Sequence, residues 1–140
     1  METVRYRLNN DFASMTAWLA GLERQSAVRN LPEDARFELR LALEELITNI
    51  IKYGYDDSGI HEIDGKLIFR NGTVEVVLRD DGHPFNPWRD AVKTALAPTL
   101  SEQEIGGLGV YLVRQLAHDL SYRRAYGCNI VKFRIGENQP

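Results

Sequence analysis

The dipeptide Asn71-Gly72 most restricts how this chain can fold, because it separates two runs that alternate apolar and polar residues. These runs cover 60–70 and 73–80 and are rich in residues that favour strands. Asn-Gly is the strongest short signal for a two-residue hairpin turn, since both of its residues tolerate a positive φ. The sequence therefore predicts a β-hairpin in the middle of the chain.

Periodicity elsewhere predicts three more strands and three helices. The strands cover 3–8, 119–126 and 129–135, with Gly127 and Cys128 joining the last two, and the amphipathic helices cover 9–27, 30–55 and 108–117. The first strand is expected at an edge of the sheet. The segment 81–109 has three prolines and no sustained period, which is typical of a long connection or lid with one short helix.

This order of elements does not alternate strand and helix as parallel folds do. It predicts an α+β fold, a two-layer α/β sandwich in which three helices cover one face of a mostly antiparallel sheet. A length of 140 residues is usual for one domain, so we expect residues 1–140 to form a single domain.

The composition argues against several classes of binding partner. The net charge of −3, with 44% hydrophobic and 26% charged residues, is ordinary for a soluble globule and argues against a nucleic-acid or membrane surface. A single cysteine, Cys128, allows no internal disulfide, and no long apolar run marks export or membrane insertion. We expect a cytoplasmic protein.

Three polar residues follow one another along the predicted helix 30–55. Glu45 and Asn49 lie about 40° apart on the helix surface and one turn apart along it, and Lys52 falls in line with them. An amide oxygen can bind a magnesium ion, and a carboxylate can orient or deprotonate a hydroxyl, so the stripe suits a magnesium-bound polyphosphate. The alternative is a solvated helix face.

A second polar stretch, 80-DDGHPF-85, stands where a strand-like run ends. Asp80 offers a carboxylate that can accept a hydrogen bond from a base amine, and Gly82 lets the backbone come close. The alternative is that Asp-Gly only forms a turn.

The third stretch is 106-GGLGVYLVRQL-116, in which glycines lead directly into a helix. Free backbone N–H groups and the positive end of the helix dipole then face any bound anion, and phosphate is the obvious candidate. The alternative is a glycine turn with only a steric role. It is not a Walker motif, because no Gly-Lys-Ser/Thr sequence follows.

Together, the three stretches resemble the N, G1 and G2 boxes of the ATPase superfamily that includes gyrase, histidine kinases and mismatch-repair ATPases, whose domain is called the Bergerat fold. Within it, 42-ALEELITNIIKYGY-55 and 105-IGGLGVYLVRQLAHDLSYRR-124 look most like the anti-sigma regulatory factors, which are serine-protein kinases. The resemblance covers roughly residues 3 to 135.

The resemblance implies ATP and Mg2+ as cofactors and a role for each residue of the three boxes. Glu45 would be the general base, Asn49 the magnesium ligand and Asp80 the acceptor for the adenine amine. The other implied nucleotide contacts are Gly82 and Phe85 beside the adenine, Gly106, Gly107, Leu108 and Gly109 around the phosphates, and Lys52 as a further phosphate contact.

Two positions depart from the family pattern. Pro84 stands where many relatives have a second glycine, which stiffens that turn. In the stretch that corresponds to 128-CNIVKF-133, many superfamily members have a threonine that supports the nucleotide base. Here Asn129 or a water molecule would supply that support.

The resemblance implies phosphorylation of a serine or threonine on an anti-anti-sigma partner of the STAS type, and so a role in transcription regulation. The acceptor is expected on another molecule, because no helical hairpin with a phosphoacceptor histidine precedes the second helix. The alternatives are a nucleotide-gated module that sequesters a sigma factor or another regulator, and simple ATP hydrolysis. A homodimer is expected by analogy.

Overall fold

A computed structural model describes residues 1–91 and 107–137. The helices are α1 (Phe12–Leu22), α2 (Ser26–Arg29), α3 (Glu33–Tyr53) and α4 (Gly107–Leu116). The strands are β1 (Glu2–Asn9), β2 (Glu62–Arg70), β3 (Thr73–Asp80), β4 (His118–Ala125) and β5 (Cys128–Ile135). One turn of π-helix, Pro87–Ala91, is the part of the predicted short helix in 81–109 that falls within these residues.

The five strands form one sheet in the order β1-β2-β3-β5-β4, and every neighbouring pair is antiparallel. β1 lies at an edge, as predicted. Asn71 and Gly72 have φ values of 35° and 85°, so the predicted hairpin and its turn are confirmed.

The second hairpin turns one residue earlier than expected. Its positive-φ residues are Tyr126 and Gly127, with φ values of 55° and 74°, and Cys128 is already in β5, paired with Ala125. The sequence missed this turn because a tyrosine rarely adopts a positive φ, and only the strand register requires it here.

The core lies between one face of the sheet and the helices. Apolar side chains alternate with polar ones along the central strands, so that one face is buried under α1, α3 and α4. The largest fully buried side chains include Leu39, Leu43, Ile47, Ile63, Leu67 and Phe133. This arrangement confirms the predicted two-layer sandwich.

The first predicted helix is too long, because α1 ends at Leu22 and a separate turn, α2, follows. Asp11 caps α1 as the sequence indicates, with its Oδ1 accepting the Ser14 N–H at 2.7 Å. After Leu22 the next buried apolar residue is Val28, a spacing that no single helix face provides. The chain therefore unwinds through exposed polar residues and rewinds to bury Val28.

Tyr6 ties the edge strand to the third strand of the sheet. It lies opposite Gly65 of β2, and its hydroxyl donates to the Val77 carbonyl of β3 at 2.8 Å. A β-carbon on Gly65 would overlap both the tyrosine ring and the Val77 carbonyl, so only glycine lets the phenol pass over β2. Trp18 of α1 stacks on the same ring, with centroids 4.7 Å apart.

Candidate functional site

A cavity of about 670 Å³, including its open mouth, lies where the C-terminal half of α3 faces the ends of β3 and β5. The wall is mostly apolar, with a few polar groups, and it is formed by Leu46, Asn49, Ile50, Tyr53, Gly54, Leu78, Asp80, His83, Pro84, Phe85, Pro87, Asn129 and Val131.

Asp80 is the carboxylate at the floor of this cavity, and its side chain is almost fully buried, with 5% exposed. Its Oδ1 accepts hydrogen bonds from the Gly82 N–H at 2.9 Å and from Asn129 Nδ2 at 3.0 Å. Its Oδ2 has no partner in the part of the chain described, and no described side-chain polar atom is both buried and unpaired, so Oδ2 is accessible from the cavity. Burial raises the pKa of this carboxyl, more than the two hydrogen bonds lower it.

Asn129 holds Asp80 in place, and it is buried with 3% exposed. Its Nδ2 donates to Asp80 and to the His83 carbonyl at 2.8 Å, while its Oδ1 accepts from the Tyr122 hydroxyl at 2.7 Å and the Phe85 N–H at 3.2 Å. Asn129, one of the two supports that the sequence leaves open, therefore contacts Asp80 directly. Strand register sets this contact, since Asp80 pairs directly with Asn129.

Hydrogen bonds with the end of α3 and with β4, besides those of Asn129, hold the turn after β3. The His83 N–H donates to the Gly54 carbonyl at 2.9 Å, and Arg124 Nη1 donates to the Gly82 carbonyl at 2.7 Å. A β-carbon on Gly82 would lie 2.7 Å from the Gly54 carbonyl oxygen, so this glycine is required for the close approach of the turn to the end of α3. Pro84 lines the cavity, and the N–H groups on either side of it, those of His83 and Phe85, are both bonded.

The three polar residues that follow one another along α3 differ in their position relative to the cavity. Asn49 lines the cavity, Glu45 lies half-buried one turn earlier, and Lys52 is exposed and does not line the cavity. Burial and then the neighbouring Glu44 raise the pKa of Glu45, while Lys52 lowers it by a smaller amount. None of the three stripe side chains makes a hydrogen bond or an ion pair with another described residue.

The carboxylate of Glu45 contacts the start of α4. A β-carbon on Gly109 would collide with that carboxylate, so the third residue of α4 is a glycine in direct contact with the expected base. Gly107 and Leu108 form the first turn of the same helix, and Gly106 lies outside the described residues. The positive end of the α4 dipole therefore lies beside Glu45.

Several residues of the site were not predicted from the sequence. Tyr53, Pro87 and Val131 form apolar wall, and Tyr122 and Arg124 orient the Asp80 region from β4. Their contacts join positions far apart in the chain, so spacing alone could not indicate them. Trp88 packs in the core, with 7% exposed, and its ring meets Phe133 edge-on.

The family described as the histidine kinase-like ATPase domain matches residues 8–135. The chain belongs to this family. The match confirms the resemblance that the three boxes indicate, and the five-stranded sheet with its helices agrees with the fold of the family.

Among curated proteins, this histidine kinase-like ATPase domain is similar to kinases of bacteria. It is 31% identical over 94 residues to the serine/threonine-protein kinase BtrW of Bordetella bronchiseptica, an alignment covering 67% of this chain and 66% of BtrW. It is 26% identical over 99 residues to the serine-protein kinase RsbW of Oceanobacillus iheyensis, covering 67% of this chain and 61% of that RsbW. The chain thus spans just under two thirds of the length of these relatives.

The residues present fit the ATP that the family implies. The accessible Asp80 Oδ2 is an acceptor suited to a base amine, and the apolar wall suits the flat faces of an adenine ring. The contact between Gly109 and Glu45 leaves no room for a side chain where a phosphate-binding helix start is expected. No helix among residues 1–91 and 107–137 is long and apolar enough to cross a membrane.

Proposed function

We propose that the protein binds Mg-ATP and transfers the γ-phosphoryl group to a serine or threonine of an anti-anti-sigma partner of the STAS type. The observation that carries this proposal is the contact of the Glu45 carboxylate with Gly109, at the start of α4. It joins the expected base to the expected phosphate-binding turn. The names of the relatives, serine-protein kinase and serine/threonine-protein kinase, support the same chemistry.

Each side of the site would have a distinct task. Asp80 Oδ2 would accept a hydrogen bond from the adenine amine, with Asn129 holding the carboxylate at the required angle. The backbone N–H groups at the start of α4 would donate to phosphate oxygens. A magnesium ion bound by the Asn49 amide oxygen and the phosphates would neutralise charge during transfer.

Glu45 would act on the acceptor. Its carboxylate would take the proton of the serine or threonine hydroxyl as that oxygen bonds to the γ-phosphorus, and the bond to ADP would break. A raised pKa makes the carboxylate a stronger base, and Lys52 keeps that rise within limits.

Binding is tested by calorimetric titration of ATP and ADP, with and without magnesium, on the native chain and on Asn49→Ala. We expect magnesium-dependent ATP binding that Asn49→Ala abolishes with the fold intact. Equal affinity in the variant would contradict the role of Asn49, and no binding to either protein would refute the nucleotide site.

Transfer is tested with the purified STAS partner, magnesium and radiolabelled ATP. Glu45→Gln should lower the rate by about 10²–10⁴-fold at unchanged ATP affinity, which is the usual contribution of a general base. Glu44→Gln, assayed above the pH range in which the rate of the native protein falls, is the matched control, because it removes a carboxylate from the adjacent, exposed position without removing the expected base. A native protein that binds ATP but yields no phosphoprotein would refute the kinase.

One observation favours a second candidate, a nucleotide-gated module that sequesters a sigma factor or another regulator without significant transfer. No described residue hydrogen-bonds Glu45, whereas many general bases are oriented by such a bond. ATP-dependent capture of the regulator without phosphoprotein, unchanged in Glu45→Gln, would support this candidate.

A further inference from the structure

The sheet has a second face, which no described helix covers. The side chains that alternate with the core residues point to this face. Among them are Arg5 of β1, Lys66 of β2, Val77 of β3 and Lys132 of β5. All four are exposed or only half-buried, and α1, α3 and α4 pack on the opposite side. We call this surface the open face.

A row of like charges crosses the centre of the open face. Arg5 lies directly opposite Lys66, Lys66 opposite Val77, and Val77 opposite Lys132. Like charges directly opposite each other on neighbouring strands are destabilising. This repulsion lowers the stability of the isolated protein, and a bound anionic partner would relieve it.

The positive charge of this face has few counter-charges nearby. Within the part of the chain described, no ion pair is made by Arg5, Lys66, Arg70, Arg123 or Lys132. The carboxylates of Glu62, Asp64 and Asp119 are already paired with arginines of the same face. Glu75 of β3, which also points to this face opposite Arg134, is half-buried and makes no ion pair with a described residue. The whole chain has a net charge of −3, so positive charge is concentrated on the open face against the overall sign.

The centre of the open face is also partly apolar. Ile68, Val77 and Ile130 are half-buried between the charged side chains. Five strands of about eight residues span on the order of 600 Å². This area approaches the roughly 800 Å² that one partner contributes to a protein interface of standard size.

We propose that the open face binds an acidic protein surface in which apolar side chains stand among carboxylates. Protein is favoured over nucleic acid because the face carries carboxylates, which repel a phosphate backbone. No aromatic side chain points outward from the described strands to stack on bases. The inference is independent of the nucleotide site, which lies on the helix side of the sheet.

The test is an NMR titration of the isotope-labelled full chain with three probes: polyglutamate, a random copolymer of glutamate and tyrosine, and a DNA duplex of matched charge. We expect shift changes at residues of the open face, tighter binding of the copolymer than of polyglutamate, and the weakest binding for DNA. Binding should weaken as salt rises.

A matched pair of variants assigns the surface. Arg5→Gln, Lys66→Gln and Lys132→Gln together remove three charges from the open face, and we expect about tenfold weaker copolymer binding, as three modest ion pairs predict. The control combines Arg24→Gln, Arg29→Gln and Arg36→Gln, which removes the same charge from exposed arginines near α1–α3. Control binding should match the native protein.

Three results would overturn the proposal: equal weakening in both variants, shift changes confined to other surfaces, or DNA bound more tightly than the copolymer. If circular dichroism shows that the first variant is unfolded, Arg5→Gln with Lys132→Gln replaces it, since both side chains are exposed. Unchanged copolymer binding in that double variant would also overturn the proposal.

Discussion

The two ends of the candidate nucleotide site are built in different ways. At the adenine end, Asp80 and the turn that follows it are held by Asn129, Gly54 and Arg124 through hydrogen bonds of 2.7–3.2 Å. At the phosphate end, Glu45, Asn49 and Lys52 have no hydrogen-bond or ion-pair partner in the part of the chain described.

This difference follows from the elements that supply each end. The adenine end comes from paired strands, whose register fixes Asp80 beside Asn129 whether or not a ligand is bound. The phosphate end comes from single side chains of α3 beside the first turn of α4, and no described hydrogen bond holds these side chains. We therefore expect substitutions at the adenine end to change stability as well as affinity, and substitutions at the phosphate end to change magnesium-dependent binding or transfer while the fold stays intact.

The largest effect is expected for Asn129→Ala. The change leaves the His83 carbonyl, the Phe85 N–H and the Tyr122 hydroxyl without this partner, and Asp80 keeps only the hydrogen bond from the Gly82 N–H. Loss of such a buried network should lower the free energy of unfolding by about 2–4 kcal/mol, and chemical denaturation would measure it. Nucleotide affinity should fall as well.

Tyr122→Phe is the graded control for that experiment, since it removes only one of the four hydrogen bonds of Asn129. It should cost about 1 kcal/mol. If both substitutions lowered the free energy of unfolding by the same small amount, the adenine end would be no better ordered than the phosphate end.

Asp80→Asn should separate affinity from stability. The amide can keep the bonds to Gly82 and Asn129 through its oxygen, but it then turns an N–H donor toward the cavity, where a base amine needs an acceptor. ATP affinity, measured by calorimetry, should fall by about 10–100-fold, as for the loss of a charged hydrogen bond.

The same substitution should stabilise the protein without ligand. Burial raises the pKa of Asp80, so the folded state holds a proton more readily than the unfolded state, and stability falls as pH rises from the ordinary carboxyl pKa through the raised one. Asparagine removes this ionisation, so its thermal midpoint at neutral pH should exceed that of the native protein. A lower midpoint would mean that the amide loses the Asn129 contact.

The pH dependence of transfer tests the phosphate end. Because the pKa of Glu45 is raised, we expect the transfer rate to fall at a higher pH than an ordinary glutamate would cause, by about tenfold per unit below that pKa. Lys52→Gln should move the fall to higher pH, since Lys52 lowers the pKa. Glu44→Gln should move it to lower pH, and shifts in the same direction for both variants would exclude Glu45 as the titrating base.

The smallest effect is expected for Lys66→Glu, far from both ends of the site. It converts the repulsion with Arg5 into attraction and should raise the free energy of unfolding by about 0.2–1 kcal/mol. Arg24→Glu makes the same change in charge at an exposed position without an ion pair and should be neutral. Destabilisation by Lys66→Glu would show that Arg5 and Lys66 do not repel each other in the folded protein.

Much of the fold was predictable because it is coded locally. The alternation of β2 and β3 and the Asn71-Gly72 turn are contiguous signals, and the long apolar face of α3 ends at Gly54 as its sequence indicates. The break after Leu22 was missed, because the only nearby signal is Gly21 inside the helix pattern, and the burial of Val28 that explains the break is not visible in the sequence.

The site was predictable in its main residues but not in its supporting contacts. Asp80 and Asn49 line one cavity as the boxes suggest, whereas the four bonds of Asn129 depend on strand register and on a turn more than 40 residues away. One sequence signal was available: Asn129 occupies a core-facing position in the alternation of β5, where a polar residue needs buried partners.

The position of the Tyr6 ring over Gly65 also limits the registers in which the edge strand can pair with β2. A shift of β1 by two residues keeps its faces but places the phenol opposite Ile63 or Leu67, whose side chains occupy the space that Gly65 leaves free. β1 therefore cannot slide along β2 to separate Arg5 from Lys66. Since the hydroxyl holds the third strand, β1 cannot fray without giving up that anchor, and the register of the edge strand is fixed from two neighbouring strands.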